Sequence, residues 1–319
     1  MRTFFTNIRK RNIIVEKIAI YLILVLVFII ATILSPVFIS HRNLINVIRQ
    51  ASILGIVSIG QTFVILTGGI DLSVASVMAL MSILSANMME GRNELVLSII
   101  LVCLGIAIVI GFINGILVTK VNIPPFIATL GMLLMVQGFR FIYSGGMPRG
   151  SIPSNLRFLG RGLITGIPVP TWVVLFIGLI SWIVLDKSLF GWAIYAVGGN
   201  QKTAYLSGIR IDLIKINSYI LSSFWAGFAG LLLTGWIGLA DNWLGRGYEL
   251  DSIAAVVIGG SVLTGGRGSV WGSLAGSMLL AILYNLVVLL GLDVEIQRIV
   301  KGLVIIGAVA LYRSIEIGD

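Results

Sequence analysis

Three carboxylates stand where apolar sequence breaks off and at once resumes. Asp71 lies in Gly68-Gly69-Ile70-Asp71-Leu72-Ser73, and Glu249 and Asp251 lie in Gly247-Tyr248-Glu249-Leu250-Asp251-Ser252. An acid within a membrane span is costly and marks a functional site by default, so each is a candidate gate or solute contact, together with Ser73. Each also precedes a fresh apolar run, where unpaired N–H groups and the helix dipole stabilise a carboxylate. A plain helix start is therefore the competing reading, and for Asp71 and Glu249 the preferred one. Other polar residues interrupt apolar runs. Thr129 and Gln137 are eight apart and share one helix face, and Gln297 and Lys301 are four apart. Such groups face the bundle interior or a wet cavity. There they meet a polar solute in a translocation path or form hydrogen bonds between helices. Lys301 has a further option, snorkelling or pairing with Asp293 or Glu295.

Enzymatic chemistry finds little support. His41 and Cys103 are the single histidine and cysteine, which leaves no disulfide framework, cysteine metal cluster or histidine triad to build. Gly266-Arg267-Gly268 with Gly272 fits neither phosphate-loop spacing, and no Gly-Lys pair occurs. Trp225, Trp236 and Trp243 could stack on a ligand ring, but an interfacial aromatic belt is the simpler reading.

The elements that must carry these residues are membrane helices. Of the 319 residues, 58% are hydrophobic and 11% charged, with mean hydropathy +1.06, against roughly 25% charged in soluble domains. Continuous rather than alternating apolar runs select an all-α polytopic bundle over a barrel. Ten segments are expected, at about 17–35, 48–67, 72–89, 95–119, 126–144, 170–186, 213–238, 250–264, 269–291 and 297–313. The net charge of +9 is scattered over short loops, where it orients spans rather than binding nucleic acid. Arg2, Arg9, Lys10, Arg11 and Lys17 precede the first span, against Arg42 and Arg49 after it. The expectation is an uncleaved first span with both termini cytoplasmic. Short, Gly-interrupted segments in matching positions of two halves point to an inverted-repeat transporter. Repeat one covers about 48–144 and repeat two about 213–313, with Asn114 matched to Asn285 and Gly131 to Gly302. Residues 145–169 are expected to form an external loop. Residues 187–212 are expected to form a cytoplasmic one, with a short helix ended by Gly208.

Five words in this order resemble the permease subunit of ribose-type sugar importers of the ATP-binding-cassette class, nearly end to end. They are Leu66-Thr67-Gly68-Gly69-Ile70-Asp71-Leu72-Ser73-Val74, Pro125-Phe126-Ile127-Ala128-Thr129-Leu130-Gly131-Met132, Tyr195-Ala196-Val197-Gly198-Gly199-Asn200, Leu206-Ser207-Gly208-Ile209 and Gly247–Gly260. The resemblance implies a coupling helix that docks on the ATPase, carried by Gly198, Gly199, Asn200, Ala204, Leu206, Ser207 and Gly208. An apolar side formed by Ala204 and Leu206, with glycine hinges, would transmit rigid-body motion. This chain departs from the family at Ala75, at Gly191-Trp192 before the third word, and at Gln201-Lys202-Thr203 after Asn200.

The resemblance further implies a transport subunit without its own cofactor, and a dimer of like or unlike permease subunits in the bacterial cytoplasmic (inner) membrane. A soluble binding protein would deliver a monosaccharide, and a partner ATPase with two nucleotide-binding domains would hold ATP and Mg. The translocation path is then expected among Asp71, Ser73, Asn114, Thr129, Gln137, Glu249, Asp251, Asn285, Gln297 and Lys301. The alternatives are nucleosides or branched-chain amino acids as solutes, or an ion-coupled secondary transporter. The last would need ionisable groups buried in mid-span, and Lys301 is the nearest to one in the sequence.

Overall fold

The computed structural model describes residues 20–293 and, beyond them, Glu295, Ile296, Gln297, Ile299, Gly302, Leu303, Ile306 and Gly307. Lys301 lies outside the described residues, as does most of the tenth expected segment.

The chain is helical almost throughout. α1 (Ile20–Leu34) stops at Pro36, and a 3-10 turn, Pro36–Ile39, leads into α2 (His41–Leu66). There follow α3 (Val74–Met89), α4 (Val96–Thr119), α5 (Pro125–Ser144), α6 (Ser154–Arg161), the strands β1 (Leu163–Ile164) and β2 (Ile167–Pro168), and α7 (Val169–Lys187). Next come α8 (Leu189–Gly199), α9 (Gln201–Leu206), α10 (Ile211–Ile237), α11 (Tyr248–Ile258) and α12 (Val270–Leu289). Six helices are long and apolar enough to cross a membrane, and α1, α3 and α8 are shorter apolar helices. At 1.5 Å per residue the 11 residues of α11 reach about 16 Å, roughly half of a ~30 Å hydrocarbon core.

α3 and the Ala51–Leu66 stretch of α2 are almost wholly buried, as helices apolar on most sides must be. α4, α5 and α7 bury one face and leave Leu, Ile and Phe side chains outward, a surface suited to lipid. The packing is reciprocal: α4 lies along α10, and α12 lies along α2. On α4, Gly111 and Gly115 let the backbones meet, since a Cβ at Gly111 would stand 2.5 Å from the Tyr219 carbonyl oxygen and one at Gly115 2.7 Å from the Ile216 Cα. Small residues four apart are the usual means of close helix approach in lipid.

Two segments differ from the sequence expectation. Residues 145–169 are not a plain loop. Leu156 and Gly160, four apart on α6, are buried against α10. Thr165 and Gly166, both at positive φ, turn the β1–β2 hairpin as two-residue hairpins require. Residues 187–212 hold two helices rather than one. Ser188 Oγ caps α8 by accepting from the Gly191 N–H at 3.1 Å, and Asn200 Oδ1 caps α9 by accepting from the Thr203 N–H at 3.0 Å. α9 ends at Gly208, whose φ of +80° suits a left-handed helix stop.

Candidate functional site

The residues singled out in the sequence fall into three places. The first is the break between α2 and α3. Asp71 and Ser73 are fully buried, and Asp71 Oδ1 accepts from the Ser73 N–H at 2.9 Å and from the Ser73 hydroxyl at 2.6 Å. Asn114 on α4 donates to Ser73 Oγ at 2.9 Å. The Ile70 carbonyl accepts from Thr129 on α5 at 3.3 Å and from the Tyr219 hydroxyl on α10 at 3.5 Å. The Gln61 amide, with its nitrogen toward the Asp71 carbonyl, donates to that oxygen and accepts from the Asp71 N–H, both at 3.2 Å. Four helices thus hold one break. Ser222 lies beside the Asp71 carboxylate. Asp71 Oδ2 and Asn114 Oδ1 find no partner among the described residues. The Asp71 carboxylate accepts from Ser73 at the start of α3, as the helix-start reading expects, while the other helices hold the Ile70 and Asp71 backbone and the Ser73 hydroxyl.

The second place is a cavity of about 350 Å³ between α3, α5, the 242–246 segment and α11. Gln137, Arg140, Asn242, Trp243, Arg246 and Glu249 line it. Glu249 also accepts from the Gly247 N–H at 2.8 Å, so it serves the helix start and the cavity wall together. Arg140 is 4% exposed, and Asp241 stands within electrostatic reach of it. Its Nε is buried without a partner among the described residues. Arg246 lies over the Trp243 ring at 5.1 Å, and Phe141 meets the same ring edge-on at 5.6 Å. Thr129 and Gln137 do share the inward face of α5, but eight residues, about 12 Å, separate the node from the cavity.

The third place joins residues 187–212 to the end of α2 and the α11–α12 link. The Gly266 N–H donates to the Leu66 carbonyl at 3.0 Å, and the Tyr195 hydroxyl on α8 donates to the Gly268 carbonyl at 3.0 Å. A Cβ at Gly198 would overlap the Leu66 carbonyl oxygen and the Gly266 nitrogen, and one at Gly266 would stand 2.7 Å from the Gly199 nitrogen. Backbone of α8, of the α2 end and of the α11–α12 link therefore touches directly. Ala204 is buried at 3% exposure while Leu206 is 77% exposed. They do not form one apolar side, because two residues along a helix turn by about 200°. Leu206 instead shares the outer surface with Leu189, Trp192 and Tyr205, while Ser207 Oγ only closes the helix end on the Thr203 carbonyl at 3.0 Å.

Other candidates lie apart. Asp251 accepts from the Tyr284 hydroxyl at 2.8 Å. Asn285 and Asn43 exchange reciprocal amide bonds at 2.8 and 2.9 Å, which ties α12 to the start of α2 away from the cavity. Gln297 is half-buried. Sequence reasoning overlooked Gln61, Tyr219 and Ser222 at the node and Arg140 at the cavity. It also named Lys301 as the nearest mid-span ionisable group, whereas Arg49, Asp71 and Arg140 are buried. Arg49 is engaged structurally, donating to the Arg161 carbonyl at 3.1 Å and lying over Trp236.

Comparison with known proteins gives this geometry its context. The family model described as branched-chain amino acid transport system / permease component matches residues 43–309. The ribose import permease of Bacillus subtilis is 43% identical, over 94% of each chain. That of Escherichia coli K12 is 39% identical over 92% of each. The galactose/methyl galactoside import permease of Salmonella typhimurium is 34% identical, again over 92% of each. No solved structure matches the chain significantly. The chain is a multi-pass membrane protein that belongs to the family of branched-chain amino acid transport system permease components.

Proposed function

We propose that this chain is the membrane subunit of an ATP-binding-cassette importer and forms the path for a monosaccharide of the ribose type. The observation that carries the proposal is the glycine-lined junction in which α8 touches both the α2 end and the α11–α12 link. Backbone packed on backbone has no flexible side chain to absorb a displacement. A push on α8–α9 therefore reaches both broken helices as a rigid shift. The outward Leu189, Trp192, Tyr205 and Leu206 give an ATPase an apolar surface to grip. The sugar solutes named for the relatives support a sugar over an amino acid or nucleoside.

On this reading the chain works as a dimer in the cytoplasmic membrane with both termini inside. A soluble binding protein feeds it, and the partner ATPase supplies the energy from ATP with Mg. The reciprocal packing of α4 on α10 and α12 on α2 supports two inverted repeats. So does the way Asn114 reaches the start of α3 and Tyr284 the start of α11. The test is ribose uptake in cells lacking the partner cassette ATPase. Uptake is expected to stop, and uptake that persists contradicts the proposal.

A further inference from the structure

Resting on that reading, we propose that the cavity between α3, α5 and α11 is a weak binding site for one uncharged polyol ring, occupied by the sugar during its passage. The volume of about 350 Å³ lies at the lower end of the roughly 300–1,000 Å³ of small-molecule sites, which is room enough for a monosaccharide. Charge argues for a neutral ligand. The guanidinium groups of Arg140 and Arg246 are matched by the carboxylates of Glu249 on the wall and Asp241 beside Arg140. An anionic or cationic solute would leave one of these pairs unbalanced.

Hydrogen-bond chemistry argues for hydroxyls. Gln137 offers a donor and an acceptor, Glu249 accepts, and Arg140 donates, while the Asn242 amide is held by Ser144 and the Gly146 carbonyl. A hydroxyl does both, so a polyol satisfies this mixed wall from either side. Trp243, held between Phe141 and Arg246, closes one wall with an apolar surface for the C–H groups of a ring. Strong affinity is unnecessary. A docked binding protein presents its sugar at an effective concentration in the millimolar range, so binding at roughly 1 mM fills the site and still lets the sugar leave.

The test uses the complete importer in proteoliposomes at saturating binding protein, reading ribose uptake and ATP turnover together. Gln137→Leu is expected to cut uptake at least tenfold while ATP turnover stays within twofold of wild type. Glu249→Gln, which keeps shape and an acceptor, is expected to lose less. Saturation-transfer NMR on the assembled importer without binding protein, at millimolar ribose, gives a direct readout that Gln137→Leu is expected to abolish. Uptake and ATP turnover falling in proportion, an unchanged NMR signal in Gln137→Leu, or an equal signal from leucine each overturn the site. A wild-type importer that moves leucine and not ribose overturns the monosaccharide reading itself. One that moves ribose with Gln137→Leu unaffected overturns only the pocket.

Discussion

Asp71 is where the chemistry of single residues is most exposed to test. Its Oδ1 is the acceptor for both the N–H and the hydroxyl of Ser73, and Asn114 bonds to that same hydroxyl. Asp71→Ala strands buried donors, each costing about 1–3 kcal/mol. A clear fall in the thermal midpoint of the purified protein is expected. Asp71→Asn keeps an acceptor at Oδ1 and places a donor where Oδ2 now has no partner, so it should stay close to wild type. A fall equal to that of Asp71→Ala would show that the negative charge itself is required. The sequence made Asp71, Ser73 and Thr129 legible because each interrupts an apolar pattern locally. Gln61, Tyr219 and Ser222 were not legible, because their roles depend on α2 and α10 being brought to the break from far along the chain. Arg140 had a signal, a lone charge between Phe139 and Phe141, but an orienting charge near a helix end reads the same way.

Between elements, the decisive contact is that of α8 with the α2 end and the α11–α12 link. A Gly198→Val substitution puts a branched side chain into the Leu66 carbonyl and the Gly266 nitrogen. Neither backbone can yield without moving a whole helix, so the loss should exceed the about 1–3 kcal/mol typical of core overpacking unless the junction opens. An open junction is expected to leave the folded permease bound to its ATPase, with ATP turnover retained and sugar uptake lost. Assembled transporter from the variant, assayed for both, checks this, and normal uptake would show that α8 does not transmit the motion. The helices themselves were largely readable, since long apolar runs and Gly breaks fix their number and order. α6 was hidden because eight residues hold too few apolar positions, Leu156 and Gly160 being buried and Leu159 half-buried against the core. The split at Asn200 was hidden because a cap is recognised only once the turn it closes is known.

The molecule as a whole joins an exterior made for lipid to a centre built from broken helices. α2, α3 and α10 form the core, the reciprocal pairs α4–α10 and α12–α2 clasp it, and the α2 end and the α11–α12 link meet α8. Composition alone made the membrane class and the helical architecture clear. The pairing of the halves was only suggested by matched words, because which faces meet is decided by small residues such as Gly111 and Gly115 and not by hydrophobicity. The central claim is that motion imposed from outside the membrane by an ATPase drives sugar through this bundle. Its most direct test is ribose accumulation in sealed proteoliposomes holding the permease, its ATPase and its binding protein. Accumulation is expected to need hydrolysable ATP and to survive collapse of ion gradients by ionophores. Accumulation that proceeds without ATP and stops when the gradients collapse would contradict it.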